Sequence, residues 1–503
     1  MFSVLRGRVC VCVLCSLIGM LLAWLLLLQS PPETLAQGKG PVSFINDVAP
    51  ILKENCFACH DSKKRKGKFE ITSYANFRKG GSKEDPVVPG KPNESILIHL
   101  LTEKGAGRMP PKEAGDALPK EKIDRISRWI AEGATLDTGI DGKADLMREL
   151  RVRWKPPQPP MAYDRPVNIN ALIFTPDSKR LVVGGYHELT VWDYAAGKLL
   201  QRIFTRSERA YDMAFLPDGK LVVAGGRPGQ EGNVRVYNIN PASPKMVDGV
   251  AILDGVNDKN VLIAELADTD DTIYCVDVSP DGKKLASGGC DRLVRVWDIS
   301  GGIDKAKLEQ SIENHADWVF GVMFSPDGTK LVTGSRDKTA KVWDLATKES
   351  VLTFPDHQSP VYDVAITKDG VTGMSIGDDK NIRYFHATDN AKQLGKQMRA
   401  SGGHGKAVLK MAYRNDPKNP LLATASADST VRLWNPASGA ALKTLTGPTD
   451  WVYAVALSPD GALVAGGTYN GEVRVWKTGD GMLVKAFNAS PGYVAPKTTP
   501  TKK

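Results

Sequence analysis

Cys56-Phe57-Ala58-Cys59-His60 is a C-x-x-C-H run, the attachment signature of covalently bound haem. The spacing has a chemical reason. Two thiols three positions apart can each form a thioether to a haem vinyl group, and the imidazole of the next residue reaches the iron from the same side. A redox dithiol or half of a zinc site is the other reading. No second Cys pair lies nearby to complete a zinc site, and a following His suits haem better. Cys56 and Cys59 are therefore expected to anchor one haem c, with His60 as its proximal iron ligand. The distal ligand must come from downstream, and Met109 in Gly107-Arg108-Met109-Pro110-Pro111 is the candidate. Two prolines rigidify its loop, and a Met/His pair saturates the iron and raises its potential, which suits electron transfer. His99, in an apolar helical stretch, is the rival and implies a bis-His iron of lower potential.

Helices must carry these ligands. Phe44, Val48 and Ile51-Leu52 recur at helical spacing and lead into Cys56, with Pro50 tolerated at a first-turn position or a kink. A Lys/Gly-rich loop follows, then turns at Gly80-Gly81 and Val88-Pro89-Gly90. Ser95 to Leu101 reads as helix, and Ile123, Ile126, Trp129 and Ile130 line one face of another that Gly133 stops. Taken in this order, the motifs resemble the planctomycete-type cytochrome c domain over about residues 42–135. The resemblance implies a small all-α, class I-like cytochrome c fold with His60 and Met109 as axial ligands. Gly67-Lys68-Phe69 departs from a more apolar family tendency and reads as a surface difference that leaves the ligands undisturbed. The run Lys63-Lys64-Arg65-Lys66, with Lys68, reads either as a solvated loop or as a collar that steers an acidic redox partner to the haem edge.

The compartment follows from the start of the chain. Arg6 and Arg8 precede an apolar run from Val9 to Leu28, with Thr34-Leu35-Ala36 as a cleavage site before Gln37. The run is long enough either to be a signal peptide or to stay as a membrane anchor through residues 9–28. In both cases the body is exported, periplasmic or outward-facing. The net charge of +9 over 503 residues would admit nucleic acid, but the charges are dispersed and export argues against it. Cys10, Cys12 and Cys15 fall in the leader. Cys275 and Cys290 remain and are expected as free thiols, their strand positions not being clearly opposed.

Beyond a Pro-rich spacer, Arg151 to Pro160, the chain repeats itself. Each unit ends an alternating strand on an aromatic: Trp192, Tyr237, Trp297, Trp343, Phe385, Trp434 and Trp476. The spacing is 42 to 49 residues, with one gap of 60 before Trp297. Turns Ser279-Pro-Asp-Gly282, Ser325-Pro-Asp-Gly328 and Ser458-Pro-Asp-Gly461 recur between strands. Period and signature resemble WD repeats, each a four-stranded blade. The resemblance implies a seven-bladed propeller over about residues 166–489, degenerate at Phe385, with an insertion at about residues 241–271 protruding from one rim. It also implies buried polar networks of His315, Ser335, Asp337 and Trp343, and of His404, Ser426, Asp428 and Trp434. Their repetition marks them as blade staples rather than catalytic triads. Asp268, Asp270 and Asp271 read as an ordinary solvated loop, with a bound cation as the alternative.

The whole chain is thus expected to be multidomain: residues 1–36 a signal peptide or anchor, 41–140 the cytochrome c haem domain, 141–165 a Pro-rich linker, 166–489 an all-β seven-bladed propeller and 490–503 a disordered tail. The expected function is single-electron transfer by one covalent haem, with a redox partner protein and an unknown protein ligand on the propeller. A propeller dehydrogenase using the haem as electron outlet, or a haem-based redox sensor, are the alternatives.

Overall fold

In a computed structural model, residues 40–82, 85–387, 392–416 and 418–495 of the chain are described. The leader, its apolar run and the last eight residues lie outside them. No helix among the described residues is long and apolar enough to cross a membrane. The chain divides into two units between Trp154 and Lys155.

The first unit is helical because apolar residues recur at three- and four-residue spacing. A π-helical turn, Phe44–Val48, runs into α1 (Ala49–Asn55), which places Pro50 in its first turn, where no amide is needed. α2 (Phe57–His60), α3 (Tyr74–Lys79), α4 (Ile96–Thr102), α5 (Lys120–Ala131) and α6 (Leu146–Arg153) follow. Ile126, Trp129 and Ile130 bury the inner face of α5 against Phe44, Val48 and Phe77. Phe44 and Trp129 rings lie 5.2 Å apart. Asp137 accepts the Ile45 amide at 2.8 Å, which ties the entering turn to the chain beyond α5. α6 lies within the stretch expected as linker, and buries Leu146 in the same core.

The second unit is a ring of seven sheets, antiparallel but for one pairing in blade 1. Each repeat aromatic is the last or next-to-last residue of the third strand of its blade and is buried. The Ser-Pro-Asp-Gly turns form as the sequence requires: Gly282, Gly328 and Gly461 take φ of 69°, 70° and 76°, where a Cβ is strained. The 60-residue gap is not a protrusion from a rim. Its hairpin, Lys245–Val247 with Val250–Asp254, adds to the outer edge of blade 1, pairing in parallel with Lys198–Phe204. Leu262–Thr269 then returns as the fourth strand of blade 2. The extra residues cap an exposed sheet edge, a common way to blunt unwanted pairing.

The blade staples form with a different hydroxyl from the one expected. His315 Nε2 lies 2.7 Å from Thr333 Oγ1, Nδ1 lies 2.8 Å from Asp337, and Trp343 Nε1 donates to Thr333 at 2.9 Å. His404, Thr424, Asp428 and Trp434 repeat the arrangement at 2.7–2.9 Å. Ser335 and Ser426 instead donate to the backbone carbonyls of Asp317 and Ala407. Thr333 sits two residues earlier on the same face of the strand, so the side-chain period of two makes both positions fit the pattern. In the degenerate blade His357 reaches Ser375 at 2.7 Å, and Phe385, which has no N–H to donate, stacks on Phe354 at 4.6 Å.

Closure of the ring joins blades 1 and 7 through one apolar cluster that includes Leu172, Trp192, Val473 and Ala489. Backbone latches add to it. The Tyr163 amide donates to Pro491 O at 2.9 Å, and the Val167 amide to Ser490 Oγ at 2.8 Å. Ser490 and Pro491, in the stretch expected as tail, are therefore buried. The end of the Pro-rich segment is held by a buried ion pair: Arg202 donates to both oxygens of Glu188 at 2.6 and 2.9 Å and to Pro160 O at 2.8 Å. Tyr163 Oη completes the set on Glu188 at 2.6 Å. Cys275 and Cys290 are unpaired thiols, and Cys275 is fully buried.

Candidate haem site

Cys56 caps α1, its amide donating to Leu52 O at 2.8 Å. The single turn of α2 follows, in which the amides of Cys59 and His60 both donate to Cys56 O at 3.1 Å. Positions i, i+3 and i+4 share one face of a helical turn. Cys56, Cys59 and His60 therefore present one partly open face, while Phe57 on the other side is buried in the core.

His60 is oriented from behind. Its Nδ1 lies 3.3 Å from the carbonyl oxygen of Phe69, and the Phe69 ring meets the imidazole edge-on at 5.1 Å. Ile71 N donates to His60 O at 3.0 Å and fixes the two segments together. A proton held on Nδ1 by a backbone carbonyl leaves the Nε2 lone pair for a metal, as metal-binding histidines require. The loop that supplies the carbonyl depends on Gly81. A Cβ there would stand 2.5 Å from Gly67 O and 2.9 Å from Phe69 Cβ. Gly67 and Lys68 are exposed, as a surface difference requires, while Phe69 turns inward to touch His60. The sequence carried only a faint signal of this, the Gly80-Gly81 pair read as a turn.

The Cys56 thiol does not have the character of a reactive dithiol member. Burial, and then the neighbouring Cys59, push the Cys56 thiol up to about 12, whereas reactive C-x-x-C thiols are lowered toward neutrality. Among the described residues no three His, Cys, Asp or Glu side chains converge on a shared metal position. The residues fit a covalently anchored haem with a single protein imidazole on one side.

Met109 lies on the loop after α4, its amide donating to Leu100 O at 2.9 Å. Its side chain is 37% exposed and outside the apolar core, so it does not serve as core filler. His99 is exposed on α4, whose Leu97, Ile98 and Leu101 are buried. The basic loop beside the turn is partly self-engaged. Lys64 Nζ donates to Ala58 O at 2.7 Å and Arg65 pairs with Glu70 at 2.9 Å. The Asp61 carboxylate accepts the amides of Lys64 and Lys63, which hold its pKa below the usual carboxylate value. Lys63, Lys66 and Lys68 remain exposed. In the acidic stretch, Asp271 accepts the Gly229 and Thr272 amides at 2.9 and 2.7 Å and so braces a loop.

Comparison with known proteins places two families on the chain. Residues 56–113 match the family described as planctomycete cytochrome C. Residues 260–298, 306–344, 395–435 and 439–477 match the WD domain, G-beta repeat. Similar curated proteins include Protein groucho of Drosophila melanogaster, 26% identical over 27% of this chain and 16% of that protein. Transcription factor unc-37 of Caenorhabditis elegans is 30% identical over 25% of this chain and 17% of its own length. Nuclear distribution protein nudF 1 of Talaromyces marneffei is 31% identical over 20% and 22%. The chain thus spans under a quarter of each of these relatives.

Proposed function

We propose that this chain is an exported c-type cytochrome that carries one covalent haem for single-electron transfer and uses its WD-repeat propeller to dock a protein partner. The observation that carries the reading is the α2 turn, with Cys56, Cys59 and His60 on one face and His60 Nδ1 directed at the Phe69 carbonyl. When bound, the haem supplies a one-electron couple. Cys56 and Cys59 would hold it through thioether bonds, and His60 and Met109 would be its iron ligands. The chain's own contribution is to keep the His60 proton on Nδ1, to back the imidazole with the Phe69 ring, and to hold Met109 on a proline-stiffened loop.

Exposed Lys63, Lys66 and Lys68 beside this turn support an acidic redox partner, guided by long-range attraction. The basic residues and apolar run at the start of the sequence support export, with the haem unit in the periplasm or on the outer side of an anchored chain. A propeller enzyme would need a cofactor cluster facing the central channel. The charged groups there, Lys410 with Asp363 and Asp212, engage one another at 3.3 and 3.4 Å.

Optical spectroscopy of the full chain beside Met109→Ala and His99→Ala tests the ligand set. Loss of the iron–methionine charge-transfer band in Met109→Ala alone is the expected result. An unchanged Met109→Ala spectrum with an altered His99→Ala spectrum overturns it in favour of His99.

A further inference from the structure

One mouth of the propeller channel carries a feature that the blade pattern does not explain. In six of the seven blades the innermost strand skips a residue in its pairing near its start. The skipped residues are Tyr211, Tyr274, Phe320, Tyr362, Leu409 and Tyr453. A β-bulge leaves its extra residue unpaired and re-aims the side chain. Five of these six side chains are aromatic, and each is only partly buried. Their rings form a continuous arc across blades 2 to 5: Tyr211 to Tyr274 at 5.0 Å, Tyr274 to Phe320 at 5.0 Å and Phe320 to Tyr362 at 5.7 Å. Tyr453 extends the arc in blade 7, with Trp451 and exposed Tyr469 beside it at 6.1 and 6.0 Å.

One residue further along the same strands, charge replaces the π surface. Lys410 of blade 6 reaches Asp363 of blade 5 and Asp212 of blade 2, and Asp277 lies on the blade 3 strand beyond Cys275. In this layer one ammonium faces two carboxyl groups, and Asp277 adds a third. Aromatic faces in front of a carboxyl-rich layer attract cations on both counts. The rim already shows this preference, since Arg336 lies 4.6 Å from the Trp318 ring centroid and Arg209 5.1 Å from that of Tyr186.

We infer that the aromatic mouth of the propeller receives a basic side chain, lysine or arginine, presented by a protein partner. The inference rests on the docking reading above and gives it a face and a ligand chemistry. The full chain is titrated, with saturation-transfer NMR as readout, against N-acetyl-lysine methylamide, N-acetyl-arginine methylamide, the neutral N-acetyl-norleucine methylamide and methyl glucoside. The expected result is binding of both basic probes about tenfold more tightly than norleucine. Phe320→Leu with Tyr274→Leu, which keeps apolar volume and removes the π faces, is expected to erase that preference with the thermal melt unchanged. Equal binding of the basic and neutral probes, binding of the glucoside alone, no binding of any probe, or a preference that survives in the double variant overturns the inference. A photo-crosslinker at Tyr469 and another at Leu442, on the outer edge of blade 6, separate this from the docking reading itself. Partner capture at Leu442 alone overturns the mouth and leaves the platform standing; capture at neither position, with native partners present, overturns both.

Discussion

The most demanding contact in the haem unit is a backbone one, between His60 Nδ1 and the Phe69 carbonyl. Gly81→Ala puts a methyl group against Gly67 O and Phe69 Cβ and must displace that carbonyl. The expected outcome is a loss of about 1–3 kcal/mol in a denaturant melt, as for overpacked sites, with a shifted haem potential in voltammetry. An unchanged potential would show that His60 is oriented by something else. Five consecutive residues made the thiols and the imidazole legible in the sequence, because a C-x-x-C-H run fixes both their types and their spacing. The carbonyl that orients the imidazole was not legible, since every residue has one and only the folded loop selects Phe69. The blade hydroxyls show the same limit. Thr333→Val leaves His315 and Trp343 without their shared partner and is expected to cost about 1–3 kcal/mol, against about 1 for Ser335→Ala. Equal losses in the two melts would restore Ser335 to the network.

At the scale of the element, the staple of blade 6 is sensitive to pH. In blade 6, burial lowers the His404 pKa. Burial works against ionisation of Asp428 too, but hydrogen bonds from Thr430, the Gly405 amide and His404 outweigh it and hold the carboxyl at about 2. Both folded values lie below the ordinary ones, so both contributions are complete above about pH 6.5 and fade on acidification. Thermal melts of wild type and His404→Phe between pH 7 and pH 3 check this. The wild type is expected to lose stability on acidification more steeply than the variant, and parallel curves would contradict it. Asp277 has the opposite sign. Burial raises it to about 7, while the Phe324 amide at 2.8 Å works to lower it. Its stabilising contribution is present below about pH 4 and is lost as pH rises through about 7. Asp277→Asn, which keeps an acceptor for the amide, is expected to flatten the decline between about pH 4 and pH 7. Strand number and turn chemistry were readable from period and from the Ser-Pro-Asp-Gly signature. The hairpin on blade 1 was not, because the sequence shows the length of an insertion but not which edge it covers.

For the whole molecule, seven sheets make a ring that must close on itself, and it closes without exchanging a strand between first and last blades. Apolar contact between blades 1 and 7, the latches to Ser490 and Pro491, and the Arg202–Glu188–Tyr163 set do that work. Arg202→Met leaves Glu188 buried without its cation and is expected to cost about 3–5 kcal/mol in the propeller transition. A second change, Glu188→Gln, should restore part of it, and no loss in the single variant would show that the pair is dispensable. None of this closure was visible in the sequence, which placed a spacer and a tail where the fold uses Tyr163 and Pro491. Seven aromatic strand ends, by contrast, specified the number of blades. The central claim, that Cys56 and Cys59 hold one haem covalently, is tested most directly by intact mass of the full chain after acid–acetone extraction. The expected result is a chain heavier by one haem, with the haem lost to the extract when both cysteines are serine. A wild-type chain that gives up its haem to the solvent, or that carries none, would contradict it.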